Sequence, residues 1–231
     1  MTSPFSRLFD DAAVFPPGDA PVDVAVKQHV ARAAAPEGAY VGPFVCDVAR
    51  LPALVGTGAA LDVSLVGAAG EIGPALDSLT GSPVRVVSVE VRGPVEAPPD
   101  VTVPVAVEMP WGTGFTVPPG ALLKLRCGGA HVPSADELGD AISHCVRHDQ
   151  PFKLTAGLHA AVAHEGAHGF VNVMAAVVAT QRGQDPAPVL RADADGLDLA
   201  SLRESRRLFR SVGTCSIDEP LAGLRALGLL P

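Results

Sequence analysis

Apolar and polar residues alternate over short runs along much of this chain. In Val86-Val87-Ser88-Val89-Glu90-Val91-Arg92, valines hold positions 87, 89 and 91, while Ser88, Glu90 and Arg92 share the opposite face. In the run 103–108, valines alternate with Pro104, Ala106 and Glu108. Leu61, Val63 and Leu65 oppose Asp62 and Ser64; Leu123 and Leu125 oppose Lys124 and Arg126; Phe152 and Leu154 oppose Lys153 and Thr155. A period of two marks a strand whose faces meet different surroundings. Strands are expected over 6–10, 40–46, 61–66, 84–91, 102–108, 121–126, 151–155 and 211–216. Helices are expected over 21–34, 134–148, 167–182, 199–209 and 219–228, with shorter helical turns at 48–55 and 71–79. Ser134 and Glu137 have the spacing of a capping box, and Asp218-Glu219-Pro220 carries the acids and first-turn proline of a helix start. The segment Gly112–Gly120, rich in glycine and proline, suits no regular helix.

Eight strands interleaved with helices imply an α/β fold with parallel strands. In an open doubly wound sheet such strands are apolar on both faces. Here one face turns polar toward each strand's C-terminal end, so a closed, compact (β/α)8 TIM-barrel-like domain over 1–231 is the better solution, with one or two helices missing after strands four and five. The apolar face lies under helices and the polar face lines a shared interior. Barrel active sites sit at the C-terminal ends of the strands, where these charges gather. The competing reading is that the charges plug the interior as an ion-pair network.

Composition narrows the function. At 231 residues, 48% hydrophobic and with positive mean hydropathy, the chain can bury a sizeable core. A formal charge of −8 argues against nucleic acid, and ten aromatic residues are few for a stacking surface. No apolar run approaches the length of a membrane span, and Met1–Arg7 has no apolar h-region, so no secretion signal is expected. Four scattered cysteines without a CxxC pair fit reduced thiols. A soluble, cytoplasmic protein is expected. The tail Leu227-Gly228-Leu229-Leu230 packs either on its own domain or on a partner subunit of a homo-oligomer.

The most specific feature is an echo. Leu123-Lys124-Leu125-Arg126-Cys127-Gly128 and Phe152-Lys153-Leu154-Thr155-Ala156-Gly157 both read apolar-Lys-Leu, with glycine following. Neighbouring strands lie about 4.8 Å apart, so inward lysines at equivalent positions would approach closely and depress each other's charge. A neutral lysine attacks carbonyls to form a Schiff base. Otherwise the lysines bind a substrate anion, or pair with Glu90 or Glu108.

This pair of strands resembles the deoxyribose-phosphate aldolase group of class I aldolases. The resemblance implies a Schiff base on Lys124, tuning by Lys153, and proton transfer by Glu90 or Glu108. The chain departs from that pattern in Leu125-Arg126-Cys127, where the family has small hydroxyl residues, and in its glutamates, where the family uses aspartate.

After strand seven, His159, His164 and His168 fall within ten residues. Their spacing allows a metal site if a strand-end and two loop histidines converge, but the pattern is not HExxH, and no metal is assigned. The loop suits acid/base chemistry or substrate hydrogen bonding, with His159 nearest Lys153, or else it is simply solvated. Gly157, Gly169 and the start of the helix 167–182 either offer backbone N–H groups to an anion or form ordinary turns, and Asn172, in the first turns of that helix, points into the mouth or to solvent. Asp10-Asp11 either binds a cation, orients Lys124, or sits in a solvated turn. Cys127, beside two cations, and Cys215 are secondary candidate thiols.

The combined expectation is an enzyme, without cofactor, on a small anionic carbonyl metabolite. Lys124 would attack, Lys153 would hold its pKa down, and Glu90, Glu108 or His159 would shuttle protons. Arg126, Arg92, Gly157, His164, His168 and Asn172 are the candidate substrate-binding residues. A non-covalent isomerase or decarboxylase, and a non-catalytic metabolite-binding barrel, are the alternatives.

Overall fold

A computed structural model describes residues 3–93 and 101–230. Eight parallel strands close into a barrel in sequence order: β1 (Phe9–Asp11), β2 (Val41–Asp47), β3 (Leu61–Gly67), β4 (Val84–Arg92), β5 (Val105–Glu108), β6 (Leu122–Arg126), β7 (Phe152–Thr155) and β8 (Phe209–Thr214). The helices are α1 (Val22–Ala34), α2 (Leu51–Gly56), α3 (Ala69–Ser78), α4 (Ala135–Arg147), α5 (Phe170–Gln181), α6 (Pro186–Arg191) and α7 (Asp218–Ala226). The barrel expectation is met, and its cause is the alternation. Leu123, Leu125, Phe152 and Leu154 are buried on the outer face in one continuous apolar core, while Lys124 and Lys153 turn inward.

Several boundaries differ for local reasons. β1 begins at Phe9, because Arg7 takes a positive φ of 47° that an extended run cannot contain. The helix expected at 199–209 is a 3₁₀ turn over Leu202–Arg207, and β8 follows at once. α5 starts at Phe170, after a loop closed by a bridge between His164 and Ala167. No helix follows β5 through residue 121. The expected gap after β4 includes residues 94–100, which lie outside the described residues.

α5 is buried along ten of its twelve residues, from Phe170 to Ala179. An apolar helix of this kind must be covered on all sides, and α4, α6 and the 3₁₀ turn cover it. The capping box at α4 forms: Glu137 N–H donates to Ser134 Oγ at 3.1 Å, and Ser134 N–H donates to Glu137 Oε2 at 2.7 Å. Among the described residues, no helix is long and apolar enough to cross a membrane.

Candidate functional site

The inward polar faces meet on the barrel axis in a chain of alternating charge. Lys124 Nζ (β6) lies 2.7 Å from both Glu108 Oε2 (β5) and Glu90 Oε2 (β4). Lys153 Nζ (β7) lies 2.6 Å from Glu90 Oε1 and 2.6 Å from Asp10 Oδ2 (β1). The order is therefore Glu108, Lys124, Glu90, Lys153, Asp10. Strand register builds it, since Glu108 is paired with Lys124 and Lys124 with Lys153. Hydroxyls complete it. Ser64 donates to Glu90 Oε1 at 2.8 Å, Ser88 donates to Ser64 at 2.8 Å, and Ser211 donates to Asp10 Oδ2 at 2.7 Å. Among the described residues, no buried side-chain polar atom lacks a partner, as a charged interior requires.

The electrostatics correct one expectation. Burial alone would raise Glu90, but Lys124 and Lys153 override it and hold its carboxyl well below the usual carboxylate range. Burial alone would lower Lys153, but Asp10 and Glu90 override it and hold its ammonium above the usual lysine range. The depression expected of paired lysines is therefore absent at Lys153, whose ammonium donates to Asp10 and Glu90.

Two recesses flank the chain. A cavity of about 730 Å³ at the C-terminal ends of the strands is lined by Lys124, Glu90, Glu108, Arg92, Arg126, Gly157, His159 and Cys215. A smaller one of about 290 Å³ opens at the N-terminal ends, lined by Lys153, Asp10, Ser211 and Arg210. Glu90 lines both, so Lys124 faces the upper cavity and Lys153 the lower. Arg92 and Arg126 are exposed at the upper mouth, and neither is ion-paired among the described residues. Gly157 is held at φ +74° with its Cα against the Cys127 and Gly128 backbone, where a Cβ would meet Cys127 O at 2.4 Å.

The remaining candidates separate. His159 stands in the cavity wall, with Nδ1 3.0 Å from Glu219 Oε2 and Nε2 3.9 Å from Cys215 Sγ. His164, His168 and Asn172 do not line the upper cavity. His164 and His168 edge a separate surface depression, where His168 Nε2 is 2.8 Å from Pro133 O. Asn172 is fully buried and ties the loop before α5 to the C-terminal end of α6: Oδ1 accepts from Ala163 N–H at 2.9 Å, and Nδ2 donates to Val189 O and Ala192 O at 2.9 and 2.7 Å. Their positions follow from the loop turning outward before α5, so the three histidines do not converge. Among the described residues, no cluster of three or more potential ligands is placed to hold a metal.

Asp10 and Asp11 are not a solvated turn. They lie in β1 at 3% and 0% exposure, with Asp10 on Lys153 rather than Lys124. Asp11 accepts from Ala13 N–H at 3.2 Å and faces His29 Nδ1 at 3.0 Å. Cys127 is buried, and burial pushes its thiol up to about 12 despite the nearby cations. Sequence reasoning underweighted Asp10, Ser211 and Glu219. Asp10 and Ser211 showed only as polar residues at the ends of expected strands, and Glu219 only as a helix-start acid, signals that solvated positions share. Comparison with family models, curated proteins and solved structures gives no match for this chain.

Proposed function

We propose that this barrel is an enzyme acting on a small anionic carbonyl metabolite, making or breaking a carbon–carbon bond through a Schiff base on Lys124. The observation that carries this reading is a buried primary amine lining the C-terminal cavity, with two carboxylates each 2.7 Å from its nitrogen.

The roles follow from the differences between those carboxylates. Glu90 shares two ammonium groups and stays a fixed anion. Among the described residues the Glu108 carboxylate is ion-paired with Lys124 alone, and it is the more open of the two, at 17% side-chain exposure against 4%. Glu108 therefore takes the Lys124 proton when a carbonyl arrives, and returns it as water leaves the carbinolamine. The resulting iminium accepts the electron pair of the breaking carbon–carbon bond, while Glu108 removes the proton of the departing hydroxyl. Reprotonation of the enamine and hydrolysis restore the lysine. Lys153 neutralises Glu90 from below, and Arg92 and Arg126 supply fixed positive charge for a phosphate or carboxylate at the mouth. His159 shares the cavity, but its ring is engaged with Glu219 and faces Cys215.

A second reading is favoured by the same ion pairs. Lys124 Nζ lies between two carboxylates, and a fixed cation in that position can stabilise an enediolate or carbanion without covalency, as in isomerisation or decarboxylation. Sodium borohydride reduction with a panel of small aldehydes, ketones and their phosphates, followed by intact mass and peptide mapping, separates the two. A stable adduct on Lys124 is expected. Turnover of a panel member without any adduct would replace the covalent reading with the electrostatic one. Saturable binding without turnover would remove both.

A further inference from the structure

The charged chain leaves one reactive cluster of the upper cavity unused. Cys215 follows β8 directly, His159 lies on the loop after β7, and Glu219 is in the first turn of α7. These three elements bring the side chains into line: sulfur to imidazole Nε2 at 3.9 Å, and imidazole Nδ1 to carboxylate at 3.0 Å. Thr214 Oγ1 is a further neighbour of Nδ1, at 3.4 Å. This order of nucleophile, base and orienting acid is the arrangement that activates a weak nucleophile. Both Cys215 and His159 line the cavity.

We propose that Cys215, His159 and Glu219 form a second reactive centre on the rim of the C-terminal cavity, a nucleophilic thiol that adds to small aldehydes. The surroundings select the mode of attack. Burial, and then the charge of Glu219, push the Cys215 thiol above its ordinary range, so the sulfur is protonated at rest and requires a base. In the step, the sulfur–carbon bond forms as the carbonyl π bond opens onto oxygen. The thiol proton passes to His159 Nε2 and then to that oxygen, giving a thiohemiacetal and consuming nothing else. The site is tight, since a Cβ at Gly18 would stand 3.1 Å from Cys215 Cβ. That crowding suits an aldehyde carbon better than a ketone. Glu219 acts through His159 and is a positioning residue.

The other cysteines serve as internal controls: Cys46, Cys127 and Cys145 are buried, with thiols pushed up to about 12. In the native protein at neutral pH, iodoacetamide is expected to alkylate Cys215 first, as read by peptide mapping. His159→Gly should slow that labelling at least tenfold, and added imidazole should restore much of it. Glu219→Gln should slow it about threefold, with partial recovery in Glu219→Asp. With [1-13C]acetaldehyde, a thiohemiacetal carbon signal is expected in the wild type and not in Cys215→Ser. Borohydride trapping on Lys124 should persist in that variant, so failure of this proposal and failure of the lysine reading are separable. Labelling of Cys215 that is unchanged in His159→Gly, or an aldehyde signal that survives Cys215→Ser, overturns the proposal.

Discussion

Replacing Glu90 by glutamine keeps the shape of the side chain and removes the one charge shared by both lysines. Glu90 is 3% exposed and accepts from Lys124 Nζ, Lys153 Nζ and Ser64 Oγ. Breaking a buried ion pair by removing one partner costs about 3–5 kcal/mol, because the remaining charge is left uncompensated. Here Lys124 retains Glu108 and Lys153 retains Asp10, and the glutamine oxygen can still accept, so the lower end, about 3 kcal/mol, applies. For a domain of this size that corresponds to a fall in Tm of roughly 6–12 °C. The pH dependence has a definite sign. Glu90 has its folded pKa depressed, so its contribution is fully present above the unfolded value near 4.5 and is lost as pH falls toward the folded value. The gap between wild type and Glu90→Gln should therefore be constant from pH 6 to 8 and close progressively below about pH 4.5. Urea unfolding followed by circular dichroism at each pH measures it. A gap under about 1 kcal/mol at pH 7, or one that widens in acid, would refute the reasoning that Glu90 is the electrostatic keystone of the interior.

Further outcomes follow from single contacts. Lys153 has its folded pKa raised, so its stabilisation holds below the unfolded value of 10.5 and fades as pH climbs above it; Lys153→Met should abolish that alkaline dependence in urea titrations. Asn172→Ala orphans the three backbone groups it bonds and should cost about 2–4 kcal/mol in urea unfolding, with faster amide exchange at Ala163. In Gly42→Ala the new Cβ would stand 2.2 Å from Asp10 Oδ1, pushing that carboxylate off Lys153; a loss of about 1–3 kcal/mol is expected, and an unchanged Tm would show that Asp10 has room to move. Gly157→Ala combines positive φ with a backbone clash and should both destabilise the protein and reduce binding of small anions to the upper cavity, measured by calorimetry with inorganic phosphate.

The strands could be read because a pleated backbone sends alternate residues to opposite sides whatever lies around it. Val87, Val89 and Val91 against Ser88, Glu90 and Arg92 sufficed to distinguish an enclosed polar interior from an open sheet, and the echo of Lys124 and Lys153 sufficed to place both amines inside. The capping box of α4 was equally local. The partners of those amines were not local. The sequence alone left each lysine free to meet its twin, a substrate or a glutamate, because the stagger of neighbouring strands around a barrel sets the height of every inward side chain. Register put Glu90 between the lysines and carried Asp10, from the far end of the chain in sequence, onto Lys153. The same closure seated Cys215 against His159 and turned His164, His168 and Asn172 away from the cavity. Residue alternation thus determined which side chains point inward, and only the closed barrel decided which charges are neighbours, because distance across a ring is a property of all its strands together.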